Sequence, residues 1–78
     1  MNSLLPSDTL DLRGTRCPLN FVKTKIKIDD MAKGELLEIM LDAGEPVKNV
    51  PQSVTAEGHE VLGVEKLEDG NFIVLVRV

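Results

Sequence analysis

The stretch Cys17-Pro-Leu-Asn-Phe-Val-Lys-Thr-Lys-Ile-Lys-Ile-Asp-Asp-Met-Ala-Lys33 admits two structures, and the choice between them decides the fold. Its middle, Val22-Lys-Thr-Lys-Ile-Lys-Ile28, alternates apolar and polar residues as a strand does, and its β-branched side chains suit that conformation. Leu19, Val22 and Ile26 also fall at i, i+3 and i+7, the spacing of a helical stripe. Pro18 fits the first helical position, where its missing N–H leaves no bond unmade. Gly34 fits the helix end. Sixteen residues separate Cys17 from Gly34, well beyond the roughly 5–6 of a common strand. Length decides for a helix, with Leu19, Val22 and Ile26 expected to face the core.

Working outward, residues 9–13 alternate, with Leu10 and Leu12 on one side, and read as a first strand. Residues 1–7 read as a loose tail, leaving 8–78 as one domain. Residues 35–41 are nearly continuous apolar sequence, as expected of a strand covered on one or both faces. A loop, Asp42-Ala-Gly-Glu-Pro46, leads to a second helix with Pro46 at its start and Val47, Val50 and Val54 as its stripe. Pro51 predicts a kink or restart there, and Gly58 closes the helix. Residues 60–67 and 71–78 are strands joined through Glu68-Asp-Gly-Asn71, a strong hairpin signal. The order is β-α-β-α-β-β. Two right-handed crossovers place both helices on one face of a four-stranded sheet, giving a two-layer α/β (α+β) sandwich.

Seventy-eight residues bury only about 60% of their unfolded surface, enough for one modest core. Without Trp or Tyr, and with only Phe21 and Phe72 as aromatics, that core is aliphatic. Apolar residues are 42% and charged residues 28% of the chain, which argues against disorder. A single cysteine excludes an internal disulfide framework and a Cys-x-x-Cys pair, and with one histidine it falls short of a structural zinc site. No metal or cofactor is expected. No apolar run approaches the ~20 residues of a membrane span, and the first residues lack a signal-peptide pattern. The expected compartment is the cytoplasm, where a thiol stays reduced.

Net charge is −4, unevenly spread. Residues 1–27 carry five Lys/Arg against two acids, and the remainder four against eleven. The positive end contains the cysteine. A solvated helix face explains this; so does a local field that favours a thiolate and draws an acidic partner. An acidic domain without aromatic platforms is not expected to bind nucleic acid.

With Pro18 at the first helical position, Cys17 is expected at the N-cap, near the unpaired N–H groups of Leu19 and Asn20 and the positive end of the helix dipole. Both favour an anion, and a thiolate is the reactive form of cysteine. Arg16, with Arg13, adds to the effect. A lone cysteine commonly packs as a small hydrophobe, and the residues alone leave both readings open.

Asp11-Leu-Arg-Gly14-Thr-Arg-Cys17-Pro18 resembles the opening motif of the TusA/SirA family of sulfur carrier proteins, in which a strand runs through a glycine turn to a Cys-Pro-x-Pro helix start. The likeness continues through Glu45-Pro46, Val50-Pro51 and Gly58-His59-Glu60. It implies a mixed sheet ordered 1-2-4-3 and a persulfide relay. Cys17 would take sulfur from a cysteine desulfurase or other donor protein and pass it to an acceptor protein, in pathways such as thiolation of transfer RNA. Pro18 takes the helix-start role, and Asp11 and Gly14 match the approach to the site. A chain without a second cysteine fits, since a nearby thiol would strip the persulfide.

Asn20 replaces the family's second motif proline, keeping a backbone N–H and adding a side-chain amide for the sulfur at Cys17. Less is expected elsewhere. His59 is an unfavoured candidate for a base. Asp29 and Asp30 belong to a solvated helix end, Asp42 and Glu45 to the cap of the second helix, and Lys23 and Lys27 to a face that meets an acidic partner or solvent. The rivals to a sulfur carrier are a regulatory or adaptor domain that keeps the fold and a carrier of another cargo such as selenium. A monomer is the simplest expectation.

Overall fold

The computed structural model describes residues 6–16 and 19–78. Its elements follow the expected order: β1 (Asp8–Asp11), α1 (Leu19–Asp29), β2 (Leu36–Leu41), α2 (Glu45–Ala56), β3 (Glu60–Lys66) and β4 (Phe72–Arg77). The sheet runs β1-β2-β4-β3. β1 and β2 are parallel, and the other two pairings are antiparallel. The mixed sheet and its 1-2-4-3 order are therefore as the resemblance implied.

Alternation along β2 turns Leu37, Ile39 and Leu41 to one face. Leu37 pairs with Val76 and Ile39 with Val74, and all five side chains are fully buried. Leu12, Ile28 of α1, and Val50 and Val54 of α2 complete this core, so both helices cover the same face of the sheet. The Val50/Val54 stripe faces inward as expected. α2 is one helix through Pro51, without the restart predicted there. It ends where expected, because Gly58 adopts φ +95° and lets Gly58 N–H donate to Thr55 O and His59 N–H to Val54 O, both at 3.0 Å. The β3–β4 turn closes with Leu67 N–H donating to Asn71 O at 2.7 Å. Outer strand β3 carries a register shift, a bulge, between Val61 and Gly63.

Three expectations about the first half are corrected. β1 stops at Asp11 because the chain turns at once, with Thr15 N–H donating to Leu12 O at 3.0 Å. Helix α1 stops at Asp29, well before Gly34, since Asp30 and Met31 donate to carbonyls three residues back and tighten the last turn. The third correction concerns the face of α1. Leu19, Val22 and Ile26 are exposed, at 55%, 43% and 64%, while Asn20, Thr24 and Ile28 are buried. The position that would complete the outer stripe, i+4, is Lys23, and burying an ammonium costs far more than burying a satisfied hydroxyl. Thr24 Oγ1 donates to Asn20 O at 2.8 Å, so its burial leaves no polar atom stranded. Of the expected tail, residues 1–5 lie outside the described residues, and Ser7 N–H donates to Leu36 O at 2.8 Å.

Candidate functional site

Parallel pairing of β1 with β2 brings their C-terminal ends together, and both helices start at that end of the sheet. The β1–β2 ladder continues one step beyond β1, with Leu12 N–H donating to Met40 O at 2.9 Å. The chain then reverses at Gly14, whose φ of +79° suits glycine. Gly14 N–H donates to Asp42 Oδ2 at 2.7 Å, tying this turn to the end of β2. Asp11 holds the other side. Its Oδ1 accepts from Arg13 N–H and Arg13 Nε, both at 3.0 Å, and its Oδ2 accepts from Arg13 Nη2 at 2.9 Å. The hydrogen bond from the Arg13 side chain, with that from its backbone, lowers the Asp11 carboxyl to about 2.

Of the residues that sequence reasoning grouped with Cys17, Asp11 ends β1, Arg13, Gly14 and Arg16 follow it in the turn, and Leu19 and Asn20 open α1. Cys17 and Pro18, with the cap arrangement expected of them, fall outside the described residues. Arg13 does not act as a free cation. It is paired with Asp11, and Asp69 of the 67–71 turn lies 4.0 Å from its Nη1. Arg16 is exposed.

Asn20 differs from expectation in an instructive way. Its backbone N–H, expected to serve Cys17, donates instead to Arg16 O at 3.2 Å. Its side chain is 2% exposed. Oδ1 accepts from Phe21 N–H at 2.7 Å, while Nδ2 is buried with no partner among the described residues.

Asp42 and Glu45 do not cap α2. The cap is Gly44, with no side-chain hydrogen bond, and Asp42 turns to Gly14 instead. Sequence reasoning missed both Asp42 and Asp69 as parts of the site. Their partners lie 28 and 56 residues away in sequence, beyond the reach of any local pattern. Of the two lysines given a common face, Lys27 pairs with Asp8 and Lys23 makes no ion pair among the described residues. Lys25 bridges the helices through Glu57 at 3.0 Å. His59 follows α2 and precedes Glu60, which pairs with Arg77 at the opposite end of the sheet from the Gly14 turn. No base role at the turn is open to it. Among the described residues no group of three or more His, Cys, Asp or Glu is placed to hold a metal, and no helix is long and apolar enough to cross a membrane.

This fold is shared with solved structures. A SirA-like protein of Desulfitobacterium hafniense superposes with a TM-score of 0.80 at 17% identity, covering 91% of this chain and 96% of its own. A Helicobacter pylori protein solved in solution superposes at 0.71 and 22% identity, covering 88% and 93%. Sequence likeness goes further. A candidate sulfur carrier protein of Archaeoglobus fulgidus is 42% identical over 71 residues, covering 91% of this chain and 81% of that protein. One of Thermotoga maritima is 36% identical over 70 residues, covering 90% and 89%. The candidate sulfur carrier YedF of Escherichia coli is 30% identical over 66 residues, covering 85% and 86%. The family model described as Sulfurtransferase TusA matches residues 8–78, every strand and helix of the fold. The chain therefore belongs to the TusA family.

Proposed function

We propose that this protein accepts a sulfane sulfur as a persulfide on Cys17 and relays it to a cysteine of an acceptor protein. The observation that carries this reading is the anchored approach to α1. Asp42 and Asp11 fix the Gly14 turn, and the first described helical residue follows Cys17 by two positions. A thiolate there attacks the terminal sulfur of a donor protein's persulfide. The donor's S–S bond breaks, its cysteine leaves as a thiolate, and Cys17 carries the sulfur as Cys–S–S⁻. An acceptor thiolate then attacks that terminal sulfur and Cys17 leaves as the thiolate. No oxidant is consumed at either step, and no second cysteine in the chain diverts the sulfur into an internal disulfide.

The outer face of α1 supports a protein partner. Leu19, Val22 and Ile26 form an exposed stripe beginning two residues after Cys17, and Lys23 beside them makes no ion pair among the described residues. A donor such as a cysteine desulfurase, with carboxylates around an apolar surface, would match that combination. Intact-mass measurement after incubation with a cysteine desulfurase and cysteine tests the reading. A gain of one sulfur atom, removed by a reductant and never seen in Cys17→Ser, is expected. A chain that gains no sulfur from any donor serves instead as an adaptor.

A further inference from the structure

We propose that the face of the sheet left open by the helices docks a basic partner protein, one of whose lysine or arginine side chains lies in a notch at Gly63. Docking there uses no part of the Cys17 approach and stands apart from the relay proposed above.

Strand pairing sets out this face. Glu38 of β2 lies opposite Leu75 of β4, and Leu75 opposite Gly63 of β3; Met40, Ile73 and Glu65 form the next row. Alternation turns these residues away from Ile39, Val74 and the helices. The bulge decides what β3 shows there. Val61 packs on the core opposite Val76, so an unbroken alternation would send Gly63 and Glu65 to the core side too. The extra residue turns both to the open face instead, re-aiming the Glu65 side chain.

The fold itself does not call for glycine at Gly63. Its φ lies outside the left-handed region, and a Cβ added to it meets no atom within 4 Å. Glycine weakens a strand interior, and it marks places where another molecule approaches closely. Without a side chain there, a groove of about 290 Å³ opens beside Leu75, its walls including Glu38, Leu62, Glu65 and Ile73. That is below the roughly 300–1,000 Å³ of a small-molecule pocket and suits one long side chain.

Leu62, Ile73 and Leu75 offer apolar surface to an aliphatic stem, and the carboxylates select the charge at its end. Among the described residues, Glu38 meets the Thr9 hydroxyl at 3.5 Å and no cation, and Glu65 makes no ion pair. The cations of this face are engaged, Arg77 with Glu60 at 3.6 Å and Arg13 with Asp11 at 2.9 Å. A second copy would set the free carboxylates against their own kind, and the phosphates of nucleic acid or an anionic membrane would be repelled. A basic protein surface matches both the charge and the apolar groove.

Amide NMR shifts of the full chain, titrated with a blocked pentapeptide of alternating leucine and lysine, test the proposal. Saturable shifts centred on Leu62, Gly63 and Leu75 are expected, fading as salt is raised. Gly63→Val fills the notch with a residue that suits a strand. Its binding is expected to be about ten-fold weaker, with the thermal midpoint held or raised. Glu38→Gln and Glu65→Gln each weaken binding several-fold. Equal shifts from the glutamate counterpart of the peptide overturn the proposal, as does a folded Gly63→Val that binds like the wild type. If valine disturbs the fold, Gly63→Ala decides: a lowered thermal midpoint there too means that the fold needs the glycine, and the proposal falls. A dimer in sedimentation that Gly63→Val dissolves would seat a second copy on this face and overturn it as well. Binding is read without a sulfur donor, so failed sulfur loading leaves this surface standing, and failed peptide binding leaves the relay standing.

Discussion

Helices α1 and α2 start at the same end of the sheet and cover the same face, yet they meet the core with opposite chemistry. α2 turns Val50 and Val54 inward, enters through Gly44 without a side-chain cap, and ends on a glycine. α1 turns Asn20 and Thr24 inward, leaves Leu19, Val22 and Ile26 in solvent, and is entered through a turn held by the carboxylates of Asp11 and Asp42. Simple burial explains α2. In α1, apolar area that would stabilise the fold is left outside, at roughly 25 cal/mol per Å² forgone, and the buried Asn20 Nδ2 has no partner among the described residues. Where a small domain departs from its own best packing, the departure marks the part that meets other molecules.

Substitutions on the two helices break this contrast most sharply. Val54→Asp places an unpaired carboxylate among fully buried aliphatic side chains and is expected to abolish the cooperative thermal transition followed by circular dichroism. Asp42→Ala strips the Gly14 N–H of its acceptor and is expected to cost about 1–2 kcal/mol in urea unfolding. Glu45→Gln, at the entrance of α2, makes no comparable difference, staying within about 0.5 kcal/mol. Acid separates the two entrances again. Asp11 titrates near 2 in the folded protein because Arg13 holds it as the anion, against about 3.9 unfolded. Its contribution is therefore complete above about pH 4 and lost as pH falls toward 2. Thermal midpoints of wild type and Asp11→Asn, measured across that window, should converge at its acid end. The smallest effect on stability is the most telling. Ile26→Asp leaves the unfolding midpoint within about 0.5 kcal/mol, yet is expected to slow sulfur loading from a cysteine desulfurase several-fold, with alkylation of Cys17 unchanged.

The order of elements was legible because glycine and proline punctuate it and the aliphatic runs have strand or helix length. The inward face of α2 was legible too, since only one side of that helix is apolar. In α1 the stripe Leu19, Val22 and Ile26 pointed to the face that the structure leaves exposed, because a periodicity gives a spacing without saying which phase is buried. The decision lay with Lys23 and with the Thr24 hydroxyl, which finds its acceptor only once the helix exists. At the site, the short motif from Asp11 to Pro18 was readable as a motif. Asp42 and Asp69 were not, because contacts between residues far apart in sequence become visible only after strand pairing has brought them together.

The bulge between Val61 and Gly63 bears on how such a protein stays available to its partners. An outer strand is an open row of hydrogen-bonding groups, and a straight one invites another chain to extend the sheet. An extra residue in β3 bends that row and spoils its repeat. Edge-to-edge pairing between copies of the chain, the first step toward a fibre, is thereby disfavoured along β3.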